Sequence, residues 1–285
     1  MNIAVLEGYV NNPGDLSWDA LESYGTVTVY DRTPRDQLAQ RMADVDVAVS
    51  SKTVWDAEAL GWAPRLKMIA LTSTGYNVVD LDAARARGIV VSNVPAYSTP
   101  DVAQMTFALL LELCLHVGEH SRLVMDGDWT RAKDFSFWST PLVELAGKTM
   151  GIVGMGSIGQ AVDRIARAFD MPVVFENRSP KPQLEGDGVR QAGLDELLAT
   201  ADVVSLHVPA TPETEHMMDA AALAKMKDGS YLLNTARGAL VDEAAVTAAL
   251  RSGQLGFYGA DAFATEPLPA DSPLRKEPHA LLTPH

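Results

Sequence analysis

The segment Gly154-Met155-Gly156-Ser157-Ile158-Gly159 constrains the fold more than any other in this chain. It follows a β-type run, Thr149 to Val153, and opens a helical pattern that continues through Ala161, Ile165 and Ala168. Glycines spaced GxGxxG at a strand-to-helix turn have separate tasks. The first permits the tight turn, the second lets the backbone approach a pyrophosphate, and the third lets the helix pack on the strand. The helix start then offers free N–H donors and the positive end of its dipole to phosphates. With 21 glycines among 285 residues, only about 0.1 such matches arise by chance. The strand–turn–helix context makes chance less of an explanation still. A dinucleotide-binding α/β domain is the expectation.

The rest of the chain follows the same rhythm. In the first hundred residues, β-type runs at Ile3–Leu6, Val27–Tyr30, Val45–Ser50, Met68–Thr72 and Ile89–Val91 alternate with helical patterns near Asp15–Tyr24, Arg35–Ala43, Ala57–Trp62 and Leu81–Arg87. From Lys148 the alternation restarts. Strands are expected at Thr149–Val153, Val173–Phe175, Val203–Leu206, Ser230–Asn234 and Phe257–Ala260, with helices at Ser157–Phe169, Leu194–Ala199 and Glu243–Arg251. Such alternation predicts an α/β fold of two doubly wound parallel-sheet domains. Between them, Thr99-Pro100-Asp101 reads as a helix start. One long apolar helix is expected from Val102 to about His120, buried between domains or subunits. The irregular stretch Met125–Leu145 carries Trp129, Phe135, Phe137 and Trp138 and reads as an interface arm. The predicted division is 1–98 for one domain and 99–285 for the dinucleotide-binding domain, the latter including the helix and loop of 99–147.

Composition narrows the function. Twenty-three basic and 37 acidic residues give a formal charge of −14, which disfavours a nucleic-acid partner. Cys114 is the only cysteine, so an intramolecular disulfide and a CxxC zinc site are excluded, and no metal is expected. No apolar run reaches the ~20 residues of a membrane span. Met1–Gly8 has no basic, then apolar, leader pattern, so a cytoplasmic protein is expected.

Cofactor choice is read at the end of the second strand of the dinucleotide unit, where an acid would bind a ribose 2′-hydroxyl. Here Val173-Val174-Phe175 runs into Glu176-Asn177-Arg178-Ser179-Pro180-Lys181. Neutral Asn177 at that position, followed by Arg178, Ser179 and Lys181, suits a 2′-phosphate and favours NADP(H). A register one residue earlier makes Glu176 the ribose acid and favours NAD(H).

Three polar residues follow predicted strands of this second unit. Arg237 lies in Asn234-Thr235-Ala236-Arg237-Gly238, Glu266 follows Asp261-Ala262-Phe263-Ala264-Thr265, and His285 closes Leu281-Leu282-Thr283-Pro284. Ligands of open α/β sheets bind at such carboxyl ends. The set suits hydride transfer to a 2-keto acid. A protonated histidine can quench the developing alkoxide. A carboxylate orients the ring and fixes its tautomer, and an arginine clamps the substrate carboxylate.

These motifs together resemble the D-isomer-specific 2-hydroxyacid dehydrogenases over essentially the whole chain. The marks are Ser73-Thr74-Gly75-Tyr76-Asn77-Val78-Val79-Asp80, the glycine turn, His207-Val208-Pro209, Asn234–Gly238, Glu266-Pro267-Leu268-Pro269 and Thr283-Pro284-His285. The resemblance implies a catalytic set of Arg237, Glu266 and His285. It also implies substrate-carboxylate binding by backbone amides at Ser73, Thr74 and Gly75, in a cleft between the domains. Further cofactor contacts are implied at His207, Val208 and Pro209, at Thr235 and Ala236, and at Asp261. Asn93–Thr99, Val102-Ala103-Gln104 and Phe137-Trp138 look most like the glycerate dehydrogenases, also called hydroxypyruvate or glyoxylate reductases. Two departures stand out. Gln104 stands where many members carry glutamate, and Ser73 with Gly75 stands where the loop often has two glycines.

The implied activity is reduction of a small 2-keto acid to the D-2-hydroxy acid by a homodimer that uses the long helix and the aromatic loop as its interface. Two alternatives remain open: a non-catalytic dinucleotide-sensing scaffold, and a phosphoglycerate-type dehydrogenase. For the second, Lys52 is the nearest extra cation to the Ser73 loop. In the resembled family the chain continues past the histidine and returns to the first domain, so a missing C-terminal segment is expected here.

Overall fold

The computed structural model describes residues 1–285 as two compact units, Met1–Ser98 and Thr99–His285. The first runs β1 (Asn2–Val5), α1 (Gly8–Asn11), β2 (Thr26–Val29), α2 (Arg35–Met42), β3 (Val47–Ser50), α3 (Ala57–Gly61), β4 (Met68–Leu71), α4 (Leu81–Ala86) and β5 (Val90–Ser92). Its five strands are all parallel, in the order β2-β1-β3-β4-β5, which is the flavodoxin-type doubly wound arrangement. Capping follows the sequence. Asp56 and Asp80 each accept a backbone N–H three residues on, from Ala59 and Ala83, and so start α3 and α4. Trp55, Leu60, Leu38, Met42 and Ile69 are fully enclosed in the core of this unit.

The second unit begins with three helices, α5 (Thr99–Leu115), α6 (Val117–Met125) and α7 (Asp128–Arg131). It continues β6 (Met150–Val153), α8 (Ser157–Ala168), β7 (Val173–Glu176), β8 (Val189–Gln191), α9 (Leu194–Thr200), β9 (Val203–Leu206), α10 (Ala220–Leu223), β10 (Ser230–Asn234), α11 (Glu243–Ser252), β11 (Leu255–Ala260) and β12 (Ala280–Leu282). The seven strands are parallel, in the order β12-β11-β10-β9-β6-β7-β8. Counted from β6 this is 3-2-1-4-5-6 with one further edge strand, the dinucleotide-binding arrangement, and its switch point lies between β6 and β9. One face of the sheet packs under α9, α10 and α11 around Leu197, Leu232, Val246 and Tyr258. The other packs under α5 and α8 around Leu110, Ile152, Val162 and Phe175.

Three expected elements differ. The helix near Asp15–Tyr24 is a short 3-10 turn, Asp19–Tyr24, because Asn12 Oδ1 accepts the amides of Gly14 and Leu16 and holds that stretch out of helix. The long helix from Val102 is broken at His116, which is left-handed (φ 48°), and α6 leaves α5 at 55°. Glu112, the one acid between Val102 and Val117, accepts the Gly118 amide through both carboxylate oxygens and caps the new helix. No single helix is long and apolar enough to cross a membrane. The stretch Met125–Leu145 carries the short helix α7 within otherwise irregular chain.

Candidate active site

The glycine turn lies at the switch point, between the carboxyl ends of β6 and β9. His207 N donates to Val153 O (2.7 Å), joining the two strand ends. Gly154 has φ +100°, and a Cβ there would stand 2.7 Å from His207 O, so only glycine fits. A Cβ on Gly159 would meet Gly154 O at 2.3 Å, which is the close helix–strand approach expected of the third glycine. At Gly156 a Cβ would meet nothing within 4 Å. The backbone at the start of α8 is therefore open to a group coming from outside, as a pyrophosphate cradle requires. Lys181 Nζ donates to Met155 O (3.0 Å) and brings a cation to this turn.

At the end of β7, Glu176 is the last strand residue and pairs with Val153, while Asn177 is the first residue of the loop. Burial pushes the Glu176 carboxyl above its usual range. Asn177 Nδ2 donates to Ser179 O (2.9 Å), and Gln191 Nε2 donates to Asn177 O (3.2 Å), so the loop holds a fixed shape with Arg178 and Ser179 exposed on it. At the end of β9, His207 Nε2 and Ser205 Oγ are 2.9 Å apart. His207 Nδ1 is shut off from solvent and has no partner. Desolvation holds this imidazole down at about 4, so it is neutral at pH 7. Val208 and Pro209 follow it at the strand end.

Arg237, Glu266 and His285 are brought to the ends of three adjacent parallel strands. The register sets Asn234 of β10 beside Ala260 of β11, and Ala260 beside Leu282 of β12. Each strand then opens into the loop carrying one of the three residues. Buried Asn234 shapes the first loop: its Oδ1 accepts from Ala236 N (3.1 Å) and its Nδ2 donates to Arg237 O (2.9 Å). Thr235 Oγ1 lies 2.9 Å from Thr106 Oγ1 of α5. The Thr106 hydroxyl already donates to Val102 O, so Thr235 is the donor of that pair. Arg237 Nη1 donates to Ala236 O (2.7 Å). Thr283 donates to Ala260 O through its amide (2.9 Å) and to Asp261 Oδ1 through its hydroxyl (2.6 Å), which fastens the third loop to the second.

The histidine and the glutamate meet directly. His285 Nδ1 lies 2.9 and 2.8 Å from the two oxygens of Glu266, and Glu266 Oε1 also accepts the Phe263 amide (3.0 Å). Both side chains are about one-third exposed (37% and 33%), so the pair is accessible to a reactant. With Nδ1–H given to the carboxylate, Nε2 is the nitrogen that exchanges protons outside the pair.

In the first unit, Ser73, Thr74 and Gly75 follow β4 as a tied loop. Ser73 Oγ donates to Gly75 O (2.8 Å), Thr74 Oγ1 donates to Val94 O (3.0 Å), and Asn93 Nδ2 donates to Thr74 O (2.8 Å). No group of three His, Cys, Asp or Glu side chains is placed to hold a metal ion.

Two features of this site are not visible in the sequence. Gly238 sits against the Glu266 loop so closely that a Cβ would lie 1.8 Å from Phe263 C, which welds the arginine loop to the glutamate loop. Lys181 is expected from the sequence as a phosphate ligand, but its bond to the glycine turn is not; a lysine 22 residues after the last glycine carries no local signal of that contact.

Residues 107–285 match the family model described as the NAD-binding domain of D-isomer-specific 2-hydroxyacid dehydrogenases. A hydroxypyruvate reductase of Blautia hydrogenotrophica is 43% identical, over 100% of this chain and 89% of the relative. A D-3-phosphoglycerate dehydrogenase of Mycobacterium tuberculosis is 40% identical, over 90% of this chain and 47% of the relative. A crystal structure of a Thermus thermophilus protein superposes with a TM-score of 0.85 at 40% identity, covering 100% of this chain and 89% of that one.

Proposed function

Because this chain belongs to the D-isomer-specific 2-hydroxyacid dehydrogenases, we propose that it reduces hydroxypyruvate to D-glycerate, or glyoxylate to the achiral glycolate, with NADPH preferred to NADH. The observation that carries this reading is the His285–Glu266 pair, built at the ends of β12 and β11, with β11 beside the strand that leads to Arg237. The likeness to a hydroxypyruvate reductase across the whole chain supports the choice of keto acid.

When bound, the reduced dinucleotide supplies a hydride to the carbonyl carbon of the keto acid. The protein's own groups do the rest. The Arg237 guanidinium clamps the substrate carboxylate and polarises the ketone. Backbone amides of Ser73, Thr74 and Gly75 are donors for a substrate carboxylate. His285 gives the proton on Nε2 to the carbonyl oxygen as alkoxide character develops. Glu266 holds the ring in place and fixes its tautomer through Nδ1–H.

The amides of Gly154, Met155, Gly156, Ser157, Ile158 and Gly159 receive the pyrophosphate at the start of α8. Asn177, Arg178 and Ser179 receive the 2′-phosphate. Supporting NADPH, the residues after β7 offer neutral Asn177 and the cations Arg178 and Lys181, while the one acid there, Glu176, lies within the strand. His207, Val208 and Pro209 line the adenosine side, Thr235 and Ala236 the next strand end, and Asp261 takes the carboxamide. The partner is a second copy of the chain, seated on α5, α8 and the aromatic loop.

The test is His285→Gln, which keeps the size and polarity of the side chain but cannot pass a proton. Turnover is expected to fall ~10²- to 10⁴-fold, with NADPH affinity measured by fluorescence titration unchanged. Near-normal turnover in that variant contradicts the assignment of His285 as the acid.

A further inference from the structure

Glu7 is a carboxylate that none of the motifs above uses. It follows β1 at the carboxyl edge of the first sheet and is only 7% exposed. A buried carboxylate costs free energy unless hydrogen bonds meet its charge. Here the donors all come from one loop. Glu7 Oε2 accepts from Ser51 N (3.1 Å), and Oε1 accepts from Thr53 N (2.7 Å), from Ser50 Oγ (3.3 Å) and from the Thr53 hydroxyl. The partners lie 43 to 46 positions away in sequence.

That loop adjoins the one assigned to substrate. The sheet order puts β3 between β1 and β4, so the Ser50–Thr53 loop after β3 stands between Glu7 and the Ser73–Gly75 loop after β4. The two loops are fastened at both ends. Thr72 N donates to Ser50 O (2.9 Å) at one end. At the other, Trp55 N donates to Val78 O (2.7 Å) and Asp80 N donates to Trp55 O (2.9 Å). Glu7 pins what these fastenings leave loose, the amides on either side of Lys52. Trp55 Nε1 adds a long bond to Ser50 Oγ (3.4 Å), so the fully buried indole backs the same network.

We propose that Glu7 is a positioning residue for substrate: through the Ser50–Thr53 loop it sets the conformation of the neighbouring Ser73–Gly75 loop, whose amides bind the substrate carboxylate. This rests on the reading of that loop given under Proposed function. Glu7 touches neither cofactor nor reacting atoms. Its loss therefore acts on keto-acid binding and leaves the hydride and proton steps in place.

The experiment is steady-state kinetics on the full chain with glyoxylate and NADPH, wild type first. Glu7→Gln swaps one oxygen for a nitrogen, so at least one loop donor faces another donor. The expected result is a rise in KM for glyoxylate of about 10-fold, with kcat and NADPH affinity essentially unchanged. Glu7→Asp, which keeps the charge, recovers part of the loss. Thr53→Val removes one hydroxyl donor at constant volume and raises KM less, which gives a second measurement should Glu7→Gln not fold. A merely structural role lowers the melting temperature of these variants and leaves KM alone, and that result overturns the proposal. Equal falls in kcat and kcat/KM overturn it too. A wild type that turns over no 2-keto acid fails at the first step, removing the reading of the loop and this inference with it.

Discussion

The imidazole of His207 sits where β9 meets the glycine turn, with one nitrogen 2.9 Å from Ser205 Oγ and the other enclosed without a partner. Burial lowers it from an ordinary 6.5 to about 4. The sign follows from the lower native value: below pH 6.5 the unfolded chain takes up this proton and the folded chain does not. The stabilisation is fully present above pH 6.5 and is lost progressively as pH falls to about 4. Its size over that window is roughly 3 kcal/mol. Urea midpoints at pH 7 and pH 5 for wild type and His207→Asn check this. The wild type is expected to lose more stability between the two pH values than the variant; equal losses contradict it. At this scale the motif residues were legible because each lies in a short segment with its own spacing. Glu7 and Gly238 were not. Glu7 depends on donors more than 40 positions away, and Gly238 on the backbone of Phe263. Neither distance leaves a mark in local sequence.

Periodicity located most of the strands and helices, since a buried stripe must repeat at the helical or strand period whatever its partners are. The end of a helix is set differently. The apolar pattern from Val102 to about His120 gave no sign of a break, because a single hydrogen-bonded pair, Glu112 with Gly118, decides it. The edge strands β8 (Val189-Arg190-Gln191) and β12 (Ala280-Leu281-Leu282) hold a single β-branched residue between them, unlike the equally short β5 (Val90-Val91-Ser92), and so show no strand pattern. The break has a consequence for association. α5 and α8 leave a groove lined by Gln104, Phe107, Leu111, Arg164, Ile165 and Phe169, with the Phe107 and Phe169 rings stacked at 5.6 Å. Beyond the bend, Phe135 is 90% exposed and Trp138 67%. Apolar surface of this kind is what an interface covers. Light scattering on the purified chain is expected to give twice its 30.6 kDa, with Phe169→Arg, at the exposed rim of the groove, reducing it to the single value. A wild type that scatters as one chain contradicts the proposed dimer.

The two strand orders place every proposed functional group at a carboxyl edge. In the first unit these are the Glu7, Ser50–Thr53 and Ser73–Gly75 segments; in the second they are the glycine turn and the loops of His207, Arg237, Glu266 and His285. A parallel sheet aligns its carboxyl ends by construction, which is why residues 237, 266 and 285 converge although 48 positions separate the first from the last. The sequence could name those residues from their motifs, but only the register shows that they stand on neighbouring strands. The acidic net charge of −14 does not oppose an anionic substrate locally, since Arg237, Arg178 and Lys181 lie at these edges. The most direct measurement of the proposed reaction is the initial rate of NADPH and NADH oxidation with hydroxypyruvate, glyoxylate, pyruvate and 3-phosphohydroxypyruvate. The expected result is fastest oxidation of NADPH with hydroxypyruvate or glyoxylate. Oxidation of neither nucleotide by any of the four contradicts it.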